Sequence, residues 1–160
     1  MTTGRGDIRS SQGDSLMSGG ATSEVPRGAS PRVLELSGGA DAPARARSWA
    51  LSCLPEAPIG ISSDDVALIV SELVTNSVVH AGVDESRQLT VTAASRPGGW
   101  RITVSDPGSD TVPRLRALDA ATPGGLGLRI VERLCADWGT FRDAKRATHV
   151  WCDVPAGQPA

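Results

Sequence analysis

Residues 71–82 read SELVTNSVVHAG, and the fold turns on how that stretch is understood. Glu72, Asn76 and His80 follow one another at intervals of four, a spacing that stacks side chains on one helix face as a polar stripe. Around the stripe stand Val66, Ile69, Val70, Leu73, Val74, Val78 and Val79, spread over most of the circumference rather than confined to the opposite side. A helix apolar nearly all round is usually buried. Two readings follow. Either the stripe is the solvated edge of a surface helix, or an acid, an amide and an imidazole face the interior. There each must find a partner or cost on the order of a few kcal/mol.

The surrounding sequence bounds this helix and supplies its neighbours. Ser62-Ser63-Asp64-Asp65 offers an N-cap and first-turn acids, and Gly82 a C-cap, so the pattern predicts a helix over 63–81. Upstream, Asp41 to Leu54 carries Ala44, Ala46, Trp49, Ala50, Cys53 and Leu54 at near-helical intervals, with Arg45 and Arg47 on the polar side, predicting a first helix. Before it, VLEL at 33–36 alternates as a short strand. Downstream, QLTVTAAS, RPGG and WRITVSD read as an antiparallel hairpin, in which Leu89, Val91 and Ala93 answer Trp100, Ile102 and Val104. Residues 109–123 form a polar, proline-containing connection of the length expected of a lid. GGLGLRIVERLCADWG then starts a helix directly from glycines, with Leu128, Val131, Leu134 and Cys135 facing inward. GTFR and THVWCDVP, joined by the turn-like DAKR, complete the set as strands. Helices alternate with hairpins, so the expected fold is α+β: a two-layer α/β sandwich whose mixed, mostly antiparallel sheet has its helices on one face.

The chain of 160 residues is long enough for one such domain. Residues 1–30, rich in Gly, Ser and Thr without periodicity, are expected to be a disordered tail; 31–155 form the domain and 156–160 a second short tail. Arg5-Gly6-Asp7 matches an adhesion tripeptide, but in a cytoplasmic tail it reads as chance. Net charge is -2 with both signs interspersed, which leaves no basic footprint for nucleic acid and no polybasic membrane patch. Cys53, Cys135 and Cys152 are odd in number and set among apolar residues, and so read as reduced core thiols. With no membrane-length apolar run and no signal peptide, the expected location is cytoplasmic.

Three pieces of the chain carry chemistry, and each has a plain reading. Glu72 and Asn76 are an ordinary polar edge or a site. Asp106-Pro107-Gly108 is a strand end and turn or a recognition corner. Gly124-Gly125-Leu126-Gly127 is a hinge or, because it opens a helix, an anion cradle of free N–H groups. No GxxxxGK[ST] loop or Rossmann GxGxxG turn is present.

In their order, Glu-x-x-x-Asn, then Asp-x-Gly closing a strand, then a lid, then Gly-x-Gly-Leu starting a helix, these motifs resemble the nucleotide-binding boxes of the GHKL ATPase family. SELVTNSVVHAG, the short lid and THVWCDVP are most similar to its anti-sigma-factor serine/threonine kinases of Gram-positive bacteria. The resemblance covers roughly residues 31–155 and implies ATP and Mg²⁺ as ligands. It implies that Asn76 is the Mg²⁺ ligand, a hard amide oxygen suited to a metal that takes few protein ligands. Glu72 would be the catalytic base for the attacking hydroxyl. Asp106 would accept the adenine amino group, and Gly108 would let the backbone approach the base. Gly125, Leu126, Gly127 and Leu128 would cradle the triphosphate, with Arg114 and Arg116 of the lid toward the γ-phosphate. His80 would make either a site contact or a hydrogen bond at the helix end. The implied function is transfer of the γ-phosphate to a serine of an anti-anti-sigma-type protein by a domain that also sequesters a sigma factor, possible as a homodimer. The rival reading is an ATP-gated binding module without phosphotransfer.

Overall fold

The computed structural model describes residues 30–53, 60–108 and 125–156, and of residues 53, 125 and 126 the backbone alone. Of the expected tails at 1–30 and 156–160 and the expected lid at 109–123, residues 1–29, 157–160 and 109–123, with Arg114 and Arg116, lie outside the described residues, as does Gly124. Ala156, expected in the second tail, instead donates its N–H to the Gly98 carbonyl at 2.9 Å and packs against the core. Along the chain come β1 (Arg32–Ser37), α1 (Ala42–Cys53), α2 (Ser63–His80), β2 (Gln88–Arg96), β3 (Gly99–Asp106), α3 (Gly125–Leu134), β4 (Asp137–Arg142) and β5 (Thr148–Pro155). The strands form one sheet in the order β1-β2-β3-β5-β4, and among the described residues every pairing is antiparallel. The α+β expectation thus resolves to a purely antiparallel sheet.

Period-two alternation sorts each strand into a covered and an outward row. Leu36 of β1, Leu89, Val91 and Ala93 of β2, Trp100, Ile102 and Val104 of β3, and Val150, Cys152 and Val154 of β5 are buried on one face. The hairpin register sets Val91 opposite Val104 and Ala93 opposite Ile102, as the sequence pattern requires. Helix α2 packs on α1, β3 and α3, while α1 reaches β1 and α3 reaches β4. The helices therefore share one face, where each fully buried Val, Leu or Ile is worth about 1.5–3 kcal/mol relative to exposure.

Two details of helix phase differ from expectation. In α1 the inward row is Ala42, Ala46 and Ala50, whereas Ala44 is exposed. Two residues of helix turn about 200°, so Ala44 and Ala46 cannot share a face. In α2, Val66, Ala67, Ile69, Val70, Leu73, Val74 and Ser77 are buried, but Val79 is 65% exposed, so the helix emerges from the core at its C-terminal end. No helix among the described residues is long and apolar enough to cross a membrane.

Candidate functional site

Helix α2 starts where its sequence says it should. The Ser62 hydroxyl accepts from the Asp65 N–H at 3.0 Å and donates to the Asp65 carboxylate at 2.8 Å, with Asp64 and Asp65 in the positive first turn. Gly82, at φ +63, turns the chain away after the Ala81 cap. Between these ends Glu72 and Asn76 are half-buried and His80 is exposed. The stripe is therefore neither a free surface edge nor a buried seam; it runs from the interior to the rim.

What it faces is the start of α3. A Cβ placed on Gly127 would stand 2.8 Å from Cδ of Glu72 and collide with the carboxylate itself. Glycine at 127 thus leaves room for the Glu72 carboxylate in its present position; a larger residue would turn that side chain aside. Because α3 begins at Gly125, the N–H groups of Gly125, Leu126 and Gly127 have no intrahelical acceptor, and the positive helix end lies beside the acid of α2. Two motifs more than fifty residues apart in sequence form one corner.

The third motif closes β3. Asp106 is buried at 3% exposure, and its Oδ1 accepts the Gly108 N–H at 2.7 Å, which leaves Oδ2 to another donor. Gly108 has φ +78, and a Cβ there would strike the carbonyl of Arg146. This position therefore demands glycine for its conformation and for the close approach. Arg87 fixes the turn from the other side: Nη2 donates to the Gly108 carbonyl at 2.5 Å and Nη1 to the Ala81 carbonyl at 3.5 Å. One guanidinium joins the end of α2 to the Asp-Pro-Gly corner.

Three residues of this region were not picked out from the sequence. Arg87 lies in a loop where nothing in its spacing announces a reach to Gly108. Thr148 stands opposite Asp106 in the β3–β5 register; it is 1% exposed and its hydroxyl has no partner. Ser77, 3% exposed on α2, likewise has an unpartnered hydroxyl. A usable signal existed for both: Thr148 is the polar member of the inward row completed by Val150, Cys152 and Val154, and Ser77 extends the row of Val66, Val70 and Leu73. A buried hydroxyl without a hydrogen bond costs about 1–3 kcal/mol.

These features are what a planar, hydrogen-bonding ligand requires: a buried carboxylate with an oxygen to spare, an unpartnered hydroxyl across the ladder from it, and a glycine turn bringing backbone close. At the other end, Asn76 offers one amide oxygen. Among the described residues no group of three or more His, Cys, Asp or Glu side chains stands together. An Mg²⁺ ion at Asn76 would therefore be held chiefly by phosphate oxygens and water.

Residues 40–152 match the model of the family described as the histidine kinase-like ATPase domain. Among solved structures, the histidine kinase domain of the blue-light activated histidine kinase EL346 from Erythrobacter litoralis is similar, at 22% identity and a TM-score of 0.49. That match covers 71% of this chain and 59% of the other, so this chain spans less than two thirds of its length. No curated protein matches.

Proposed function

From its place in the histidine kinase-like ATPase family, to which the chain belongs, we propose that it binds ATP with Mg²⁺ and passes the γ-phosphate to a serine of an anti-anti-sigma-type protein, holding a sigma factor in its other state. The observation that carries the nucleotide reading is the buried corner in which Asp106 stands opposite Thr148 in the β3–β5 register, both side chains buried and the Thr148 hydroxyl without a partner. The protein partners rest on the resemblance of SELVTNSVVHAG and THVWCDVP to the anti-sigma-factor kinases.

Each side chain then has a task. Asp106 Oδ2 accepts the exocyclic amino group of adenine. Guanine presents a carbonyl oxygen at that place, which would leave acceptor against acceptor, and sites built on a hydrogen bond reject such analogues strongly. The free amides at the start of α3 take phosphate oxygens. Asn76 holds the Mg²⁺, which when bound neutralises charge on the phosphates. Glu72, on the same face one turn earlier, accepts the proton of the serine hydroxyl. His80, exposed at the rim of the same stripe, is left for the protein substrate or the outer phosphates.

Calorimetry with ATP and GTP in Mg²⁺, followed by radiolabelled transfer to the candidate partner, tests this. ATP is expected to bind well in preference to GTP, and Asp106→Asn to weaken binding and narrow the preference. Asn76→Ala is expected to lose Mg²⁺-dependent affinity, whereas Glu72→Gln keeps affinity and loses about 10²–10⁴ in transfer rate. Equal affinity for both nucleotides would overturn the base assignment. Binding without transfer to a verified partner would make the chain an ATP-gated binding module.

A further inference from the structure

The core contains two sulfur atoms that the nucleotide end does not use. Cys135 directly follows α3, and Cys152 lies in the middle of β5 on the covered face. The backbone holds their segments together: the Cys135 N–H donates to the Val131 carbonyl at 2.9 Å, extending the helical turn, and the Ala136 N–H donates to the Asp153 carbonyl at 2.8 Å. The residue after one cysteine is thereby pinned to the residue after the other. Both thiols are free, and they lie close enough to influence each other's ionisation.

Their surroundings are unequal. Cys152 is fully buried, whereas Cys135 is only half-buried and open to a small solute. The interaction with Cys152 holds the Cys135 thiol below its ordinary range, against the effect of burial. The same contact, with burial added, pushes Cys152 well up. Thiolate character and access determine which cysteine an oxidant meets first, and both favour Cys135.

We infer that Cys135 and Cys152 form a peroxide-oxidisable dithiol that closes into an intramolecular disulfide, fastening the end of α3 to β5. The Cys135 thiolate attacks one oxygen of hydrogen peroxide; the O–O bond breaks, hydroxide leaves and takes up the proton released by the thiol, and Cys135 becomes a sulfenic acid. Cys152 then loses its proton and attacks the Cys135 sulfur; the S–S bond forms, the S–O bond breaks, and the second oxygen leaves as water. The two sulfurs give up two electrons and peroxide accepts them. The bridge closes a loop of roughly 15–20 residues, which restrains the unfolded chain and raises stability.

The test uses the whole reduced chain treated with hydrogen peroxide, then unfolded, alkylated and digested with trypsin. Cleavage after Arg133, Arg142, Lys145 and Arg146 puts Cys135 and Cys152 on separate peptides, with Cys53 on a third. Expected are a linked Cys135–Cys152 peptide pair lighter by two hydrogens, Cys53 still alkylated, and a higher melting temperature that reductant reverses. In Cys152→Ala, Cys135 is expected to stop at the sulfenic acid and be trapped by dimedone. Full alkylation of both cysteines after peroxide, or Cys135 joined to Cys53 or to another chain, would overturn the inference. The mapping of the native chain decides this whether or not the variant folds.

Discussion

On the sheet face turned away from the helices, Arg101 donates to both carboxylate oxygens of Asp153, at 2.7 and 2.6 Å, and lies 3.8 Å over the Trp151 ring. Beside it, Ser105 bonds His149 Nδ1 at 2.8 Å, His149 Nε2 reaches Asp143 at 3.1 Å, and the imidazole stacks on Phe141. On the helix-covered face, at the same end of β3 and β5 as Ser105 and His149, Thr148 is buried and its hydroxyl without a partner, and so is that of Ser77 on the helix above. These outward polar groups are paired although water could serve them, while the inward hydroxyls of Thr148 and Ser77, beside a paired Asp106, are not. An unpaired hydroxyl in a core is a standing cost, and its persistence next to the buried Asp106 carboxylate is intelligible if a ligand completes it. At the Asp106 end of the sheet the contrast separates groups that pair within the fold from hydroxyls that a ligand could complete.

Gly108→Ala should give the largest effect and is the harshest test of that division. The residue would be forced to φ +78 and its Cβ into the Arg146 carbonyl. A non-glycine residue in that conformation costs about 1–3 kcal/mol before the collision is counted, so a loss of about 3 kcal/mol in denaturant stability is expected, with loss of ATP affinity. If affinity survived in the folded fraction, the corner would be a turn and nothing more.

Thr148→Val separates the two meanings of a buried hydroxyl. Removing an unpartnered group at nearly constant shape should leave stability unchanged or raised, while ATP affinity falls about tenfold, or about 1.4 kcal/mol, for one lost hydrogen bond. Parallel denaturation and calorimetry read both. A stability loss without an affinity loss would place Thr148 with the architectural groups and break the comparison.

The sequence shows much of this scaffold because the signals there are local. The cap at Ser62, the period of α2, the alternation of the hairpin and the Pro97-Gly98 turn each need only neighbouring residues, and Glu72, Asn76, Asp106 and Gly127 stand at motif spacing. What escaped is tertiary. Thr148 reads as an ordinary strand residue until its register partner is known to be Asp106, and Ser77 as an ordinary helix residue until its hydroxyl is seen to be alone. Arg87 reaches Gly108 across twenty-one positions, and Cys135 meets Cys152 only because a strand and a turn bring the chain back. The phase of α1 was misplaced at Ala44 because alanine satisfies either side of a helix, so composition could not fix the rotation.

Arg101→Ala is the mirror image of Thr148→Val. It removes a two-bond ion pair and a cation–π contact that are about a quarter exposed, so solvent discounts the loss to about 1 kcal/mol of stability. ATP affinity should not change, since the guanidinium lies on the far side of the sheet from Asp106. A fall in affinity would show that the two faces are coupled through β3 and that the contrast is too sharply drawn.

The smallest expected effect concerns acid. The Asp143 carboxyl is held below the usual carboxylate range, first by the hydrogen bond from His149; desolvation opposes this, and the N–H groups of Ala147 and Lys145 reinforce it. Since Asp143 accepts, His149 Nε2 carries the proton, and in the neutral ring Nδ1 accepts from Ser105. A carboxyl whose folded pKa lies below its unfolded value, near 3.9, stabilises the fold above that value and loses its contribution as pH falls through the folded pKa. The native chain should therefore lose a small increment of melting temperature below about pH 4, and Asp143→Asn should show a shallower slope there. At neutral pH the variant should be only slightly less stable, because the amide oxygen at the Oδ1 place still accepts from the Lys145 and Ala147 N–H groups and the amide NH2 at the Oδ2 place can donate to the other tautomer of His149, and ATP affinity should be unchanged. This outcome matters beyond its size, because the turn that Asp143 ties presents the Arg146 carbonyl against Gly108. If acid titration of Asp143 altered ATP affinity and not stability alone, pairing on the outward face would be positioning the recognition corner, and the paired and unpaired groups would belong to one device.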